Sequence, residues 1–273
     1  MNEDLLLEVL KRKMQRDLGI NCCQYKASYI KRRIQVRMRA TGSANYGDYL
    51  RVLKNEPDEY HSLLDDLTIN VTGFFRDKDV YMMLKDELIP RIFEFKRNKK
   101  IYGIRVWSAG CSTGEEAYSV AICFNENLRK MKDSLLWNVK IYGTDLDTEC
   151  LKKARQAFYP AVEALEGLDV KRYFIKEEEG YRVCGEIRQM VKFERADIML
   201  ENQKKYIDLL LCRNTLIYFT KESQTEILKN FYTSLRRGGY LVLGKSETLL
   251  GASLMGLVPV HRKERVYRKN DEI

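Results

Sequence analysis

Past Ile101 the hydrophobic period of this chain changes, and that change limits its fold more than any other feature. Ile104-Arg105-Val106-Trp107-Ser108, Val139-Lys140-Ile141-Tyr142-Gly143, Tyr206 to Cys212 and Gly239 to Gly244 read as strands. Glu115 to Lys130, Thr148 to Ala157 and Ser223 to Arg237 read as the helices between them. Strands that alternate with helices and are apolar nearly throughout require a parallel sheet covered on both faces. The expected fold class is therefore α/β, a doubly wound domain. Tyr173 to Phe193 interrupts the alternation. Its runs Tyr181-Arg182-Val183-Cys184 and Gln189-Met190-Val191-Lys192-Phe193, set around Gly180 and Gly185, predict a small antiparallel β insert at about residues 170–193. Leu257 to Tyr267 predicts a closing hairpin at the sheet edge.

Ahead of Ile101 the pattern is helical. Turn signals at Gly19-Ile20-Asn21, Gly42-Ser43 and Asn55-Glu56-Pro57 divide the front of the chain into four short helices. The expected division is a small all-helical domain over 1–72 and the α/β domain over 73–273. The latter opens with a linker and helix at 73–98, for which Asp77 is the candidate cap. The 273 residues are long enough for both cores. The longest stretch free of charge, Leu249 to Val260, is well short of the ~20 apolar residues of a membrane span, so no stable membrane insertion is expected. The acidic start Met1-Asn2-Glu3-Asp4 is unlike a secretory signal, and the expected location is the cytoplasm. The seven cysteines include no Cys-x-x-Cys, and they read as reduced, buried apolar residues with no metal site. With two histidines, His61 and His261, neither beside a Ser, Cys or acidic motif, a His-based triad has almost nothing to use.

In an open α/β sheet a ligand lies outside the carboxyl ends of the strands. The first strand runs into Ser108-Ala109-Gly110-Cys111-Ser112-Thr113-Gly114-Glu115-Glu116, where Gly110 and Gly114 let backbone approach a ligand at a helix N-terminus. The second ends at Asp145, placed for ribose hydroxyls. The turn lacks the middle glycine of a pyrophosphate site and the lysine of a Walker motif, which favours S-adenosylmethionine, with Glu115 for its ammonium. Ala196-Asp197-Ile198 offers a carboxylate for an adenine amino group and an apolar neighbour for the ring. Cys212-Arg213-Asn214-Thr215-Leu216-Ile217-Tyr218-Phe219 sets Asn214 and Tyr218 near the reacting centre, although Tyr218 and Phe219 equally suit core packing.

Asn70-Val71-Thr72-x-Phe74-Phe75-Arg76, Trp107 to Glu116, Thr144-Asp145-Leu146-Asp147, Cys212-Arg213-Asn214-x-Leu216-Ile217-Tyr218-Phe219 and Gly244-x-Ser246-Glu247, in this order, resemble the chemotaxis receptor methyltransferases of the CheR type over nearly the whole chain. The resemblance implies a helical domain joined to an S-adenosylmethionine-dependent methyltransferase domain with a β insert. It implies methyl transfer to glutamate carboxylates on the cytoplasmic helices of chemoreceptors, with S-adenosylhomocysteine as product. Carried over by motif, cofactor contacts fall on Asn70, Thr72, Arg76, Glu115, Asp145, Asn214 and Thr215, beside Gly110, Asp197 and Ile198 read from the strand ends. Catalytic roles are expected of Tyr218, from its place near the reacting centre, and of Arg76, whose place in the connector suits it to orient a carboxylate, the substrate's or the cofactor's. Asp197 stands where the family usually has Asn, and Lys245 where it often has His. Glu177-Glu178-Glu179-Gly180 lacks the glycine-rich turn of members that dock a receptor's C-terminal pentapeptide, so no such tether is expected.

The second helix, Cys22 to Ala40, carries Lys26, Lys31, Arg32, Arg33, Arg37 and Arg39 and no acid. Such a run can be a solvated face or a nucleic-acid contact. Beside the resemblance it is expected to dock the glutamate-rich receptor helices through Arg32, Arg33 and Arg37. No nucleic-acid partner is expected, and the chain is expected to be a monomer. The rival classes are a nucleic-acid methyltransferase, for which the turn after Cys212 lacks the expected proline, and a non-catalytic adaptor that binds cofactor or receptor.

Overall fold

The computed structural model describes residues 3–67, 72–200, 204–247, 249 and 256–270. The chain divides into two units, one made of residues 1–70 with 218–226 and the other of 71–217 with 227–273.

In the first unit four helices bury one apolar stripe each: α1 (Glu3–Leu18), α2 (Ala27–Ala40), α3 (Tyr46–Asn55) and α4 (Glu59–Leu67). Leu10, Met14, Ile30, Ile34, Tyr49 and Leu63 are fully enclosed. The helix expected over Cys22–Ala40 begins only at Ala27. Asn21 accepts from Cys23 N and makes Cys22–Gln24 a separate 3₁₀ turn. Tyr25 is then extended and bridges Phe219, their rings stacked at 4.6 Å. Lys26 N donates to Tyr218 O and Thr220 N to Gln24 O, which is why residues 218–226 belong with the helices and the expected division at residue 72 is incomplete.

The second unit opens with α5 (Lys78–Met83), a π-helical turn at Leu84–Leu88 and α6 (Ile89–Asn98), continuous with one another. Asp77 stands at the cap position but in the left-handed region, φ 62°, and its side chain makes no cap hydrogen bond, contrary to expectation. There follow β1 (Gly103–Ala109), α7 (Glu115–Leu128), β2 (Asn138–Asp145), α8 (Thr148–Gln156), β3 (Phe158–Tyr159), α9 (Val170–Tyr173), β4 (Phe174–Glu177), β5 (Gly180–Val183), α10 (Gly185–Met190), β6 (Val191–Arg195) and β7 (Ile207–Cys212). The chain continues through α11 (Lys221–Ser234), which starts in the first unit, then β8 (Leu235–Leu243), β9 (Leu257–His261) and β10 (Val266–Lys269). The main sheet has the order β6-β2-β1-β7-β8-β10-β9. Its first five strands are parallel, and β10 and β9 close the edge as the expected antiparallel hairpin. All six residues of β7 are buried, and each of its leucines contributes about 1.5–3 kcal/mol by burial.

The β insert is smaller than expected. Only β3, β5 and β4 form the separate antiparallel sheet. The run at Gln189–Phe193 ends α10 and becomes β6, which pairs in parallel with β2 from Ile141↔Val191 to Asp145↔Arg195. Its long-range partner decides its place, and alternation within the run could not reveal that partner. The strand order reverses direction between β1 and β7, so their carboxyl ends form the switch point where a doubly wound sheet takes its ligand.

Candidate active site

β1 ends at Ala109 and the chain turns through Gly110 and Gly114 into α7, both glycines lying at positive φ, 76° and 95°. A Cβ on Gly110 would meet Thr215 Oγ1 at 2.6 Å, so the turn rests directly on the segment that follows β7. Gly110 N and Cys111 N donate to Thr144 O, at 2.8 and 3.0 Å. Ser112 N donates to Asp145 Oδ2 at 2.8 Å and Asp147 N to Oδ1 at 3.0 Å. Each oxygen of Asp145 thus keeps acceptor capacity for a ligand hydroxyl. Burial pushes the Asp145 carboxyl above its usual range, against the pull of these backbone donors. Ala196 N donates to Asp145 O at 3.0 Å, which brings the loop after β6 alongside. There Asp197 Oδ1 accepts from Met199 N at 2.8 Å and Ile198 is buried.

Glu115 and Glu116 open α7 and diverge. Glu116 accepts from Ser108 Oγ at 2.8 Å and faces Arg213 Nη1 at 3.4 Å. Glu115 accepts from Thr113 Oγ1 at 2.7 Å and has no cation within ion-pair distance among the described residues. Burial raises the pKa of both.

Arg213 gathers the rest. Its Nη2 donates to Arg76 O at 2.9 Å and to Asp77 Oδ2 at 2.5 Å, and its Nη1 reaches Tyr81 Oη at 3.3 Å. The Asp77 carboxylate, expected to cap the helix, is used here. Two neighbours pin the same connector. Phe75, at φ 52°, donates its N–H to Ser119 Oγ at 3.0 Å and packs edge-on against Tyr81. Phe74 is wedged edge-on between Tyr159 and Phe174, 4.8 Å from each. Arg76 is exposed on this fixed segment.

Beyond Arg213, Asn214 takes positive φ, 59°, and Glu247 holds the backbone in that course. The Glu247 carboxylate accepts four N–H groups: Asn214 at 3.0, Thr215 at 2.8, Leu216 at 2.7 and Gly244 at 2.7 Å. Burial raises its pKa while these donors oppose. Neither Arg213 nor Glu247 was among the expected site residues. Both lay inside quoted motifs, yet only the fold shows that they position their neighbours.

The strand ends therefore bring together Gly110, Glu115, Asp145, Asp197, Ile198, Asn214 and Thr215, with Arg76 on the connector. Asn70 lies outside the described residues, and Thr72 is half-buried ahead of Phe74. Tyr218 belongs to the helical unit, its ring 4.8 Å from Tyr29. Of the expected docking residues, Arg32 is exposed and Arg33 sits over the Tyr29 ring at 5.6 Å. Arg37, also expected to dock, turns its guanidinium into the helical unit. It grips the buried Glu59 through two hydrogen bonds, 2.6 and 2.9 Å, and Asp66 at 3.2 Å.

The donor set fits S-adenosylmethionine. A half-buried carboxylate without a cation suits its ammonium, a carboxylate with spare acceptor capacity its ribose, and Asp197 with buried Ile198 its adenine. Residues 70–258 match the family model described as the CheR methyltransferase SAM binding domain, and residues 6–68 the CheR methyltransferase all-alpha domain. The chain is 35% identical over 255 residues to the chemotaxis protein methyltransferase of Listeria innocua, covering 92% of each. Identity to the protein of that name in Listeria monocytogenes is 34%, covering 92% of each, and in Borreliella burgdorferi 29%, covering 93% of this chain and 90% of that one. With both domains matched along the chain and a donor set that fits S-adenosylmethionine at the switch point of its sheet, this protein belongs to the CheR family of S-adenosylmethionine-dependent methyltransferases.

Proposed function

We propose that the chain methylates glutamate side-chain carboxylates on the cytoplasmic helices of chemoreceptors, forming methyl esters, and that it acts as a cytoplasmic monomer. The observation that carries this reading is Arg76, an exposed cation on a connector fixed at the switch point by Arg213, Phe74 and Phe75. The names of the relatives support the choice of substrate.

S-adenosylmethionine supplies an electrophilic methyl group on a sulfonium. A glutamate with a pKa of about 4.3 is already ionised at neutral pH, so its attack needs no general base. The chain's own residues have to align the partners and exclude water, effects worth up to about 7–11 kcal/mol. In this reading Glu115 holds the cofactor ammonium, Asp145 its ribose hydroxyls and Asp197 its adenine amino group. Arg76 orients the substrate carboxylate. A catalytic part is proposed for the Tyr218 hydroxyl, and Tyr218→Phe, which keeps the ring against Tyr29, tests it. Docking on receptor helices falls to Arg32 and Arg33.

Steady-state kinetics on a chemoreceptor cytoplasmic fragment test the assignment. Arg76→Ala is expected to lower kcat by about 100-fold with cofactor affinity nearly kept, since misplacement by ~1 Å has that effect. Arg32→Glu with Arg33→Glu is expected to raise KM for the receptor, and salt to raise the wild-type KM. Parallel losses of turnover and cofactor affinity in Arg76→Ala would reduce it to a cofactor ligand.

A further inference from the structure

The methyltransferase unit carries a second concave surface at the opposite end of its sheet, an open cleft of about 690 Å³ at the amino ends of β7 and β8. Lys99, Lys205, Arg237 and Lys269 line it, and among the described residues that do so none is acidic. Beneath them two more cations, Lys96 and Arg236, share a single buried carboxylate, Asp208. Among the described residues Lys269 Nζ has only neutral oxygens as hydrogen-bond partners, Tyr232 O at 2.6 and Leu235 O at 2.8 Å. Burial, and then the nearby Arg237 and Lys205, depress its pKa, so positive charge is crowded here.

One wall is aromatic. Tyr206 is 74% exposed and held at φ 59°, a backbone region that a bulky side chain rarely takes and that clusters at functional positions. Cations convergent on a hollow of small-ligand size suit phosphate groups, and an exposed ring beside them suits a base. We propose that this cleft binds a nucleoside polyphosphate, at a site separate from the strand ends that hold S-adenosylmethionine. A membrane or a nucleic-acid duplex would ask for cations spread over a broad face, whereas these converge on a hollow.

Calorimetry on the full chain saturated with S-adenosylhomocysteine, so that adenosine cannot enter the cofactor site, tests the proposal with ATP and inorganic triphosphate as probes. ATP is expected to bind saturably, more tightly than triphosphate, and to weaken with salt. Lys99→Gln with Arg237→Gln should weaken ATP by roughly tenfold while S-adenosylhomocysteine affinity, the check on folding, stays the same. Tyr206→Gly relieves the positive φ, so it should fold normally yet bind ATP no better than triphosphate. Absence of ATP binding, affinity unchanged in the Gln variant, or binding confined to anionic vesicles or oligonucleotides would overturn the proposal. Equal wild-type affinities for ATP and triphosphate would overturn the nucleoside assignment.

Discussion

Glu115 and Glu116 are adjacent and chemically alike, and the fold assigns them different partners. Glu116 faces Arg213, whereas Glu115 meets no cation within ion-pair distance among the described residues, which is why we propose it for the ammonium of the cofactor. Because burial raises the Glu115 pKa, it takes up a proton above the usual glutamate range, and only its ionised form attracts an ammonium. Cofactor affinity should therefore begin to fall at a higher pH than an ordinary glutamate would allow, and Glu115→Gln should bind more weakly at neutral pH and lose most of that dependence. Calorimetry with S-adenosylhomocysteine across pH measures both. Glu247 has a different task. Replacing it by Ala strands four backbone donors, at about 1–3 kcal/mol for each that water does not reach. Thermal unfolding should register a large loss of stability, and S-adenosylhomocysteine titration a loss of cofactor affinity through the displaced Asn214 and Thr215. Strand-end logic placed Glu115 at a helix start and Asp145 at a strand end, where the fold has them, since their place depends on the local order strand, turn, helix. Arg213 and Glu247 act on segments far away in the chain, 137 residues in one case and 33 in another, and no local pattern encodes such a pairing.

At the level of elements, α2 shows how charge can mislead. Its cations suggested one docking surface, yet Arg37 is the centre of a partly buried network that ties α2 to α4 and, through the hydroxyl of Tyr49, to α3. Breaking such a pair leaves Glu59 buried without its partner, so Arg37→Ala should destabilise the helical unit by about 3 kcal/mol, read by helical circular dichroism on denaturant titration. The same bond sets a pH dependence. Although burial raises the Glu59 pKa, Arg37 and Tyr49 outweigh it and the net shift is downward. A depressed carboxyl stabilises the fold above its unfolded pKa of about 4.3, and that contribution fades as pH falls through the folded value. Wild type should thus lose helical-unit stability in acid, and Arg37→Ala should lose less. The four helices were legible from their apolar spacing. The break at Tyr25 was not, because Phe219 on a remote segment draws that residue into an extended bridge. β6 was misplaced for the same reason: β2 supplies its hydrogen bonds.

Across the whole molecule, the sheet order sets the function's location. The reversal between β1 and β7 puts the switch point at their carboxyl ends, and Asp145, Asn214 and the Arg213 clamp on the connector lie around it. The alternation of strand and helix past Ile101 made this architecture readable. Which backbone groups each acid accepts from, and what holds the Arg76 backbone, depended on the fold. Among the described residues no helix is long and apolar enough to cross a membrane. Ester formation on receptor glutamates leaves a distinctive product. Labelled methyl from S-adenosylmethionine should pass to a chemoreceptor cytoplasmic fragment, leave as methanol on mild base, and transfer about 100-fold more slowly with Arg76→Ala. Label that survives base, or that appears on nucleic acid in place of the receptor fragment, would contradict the account.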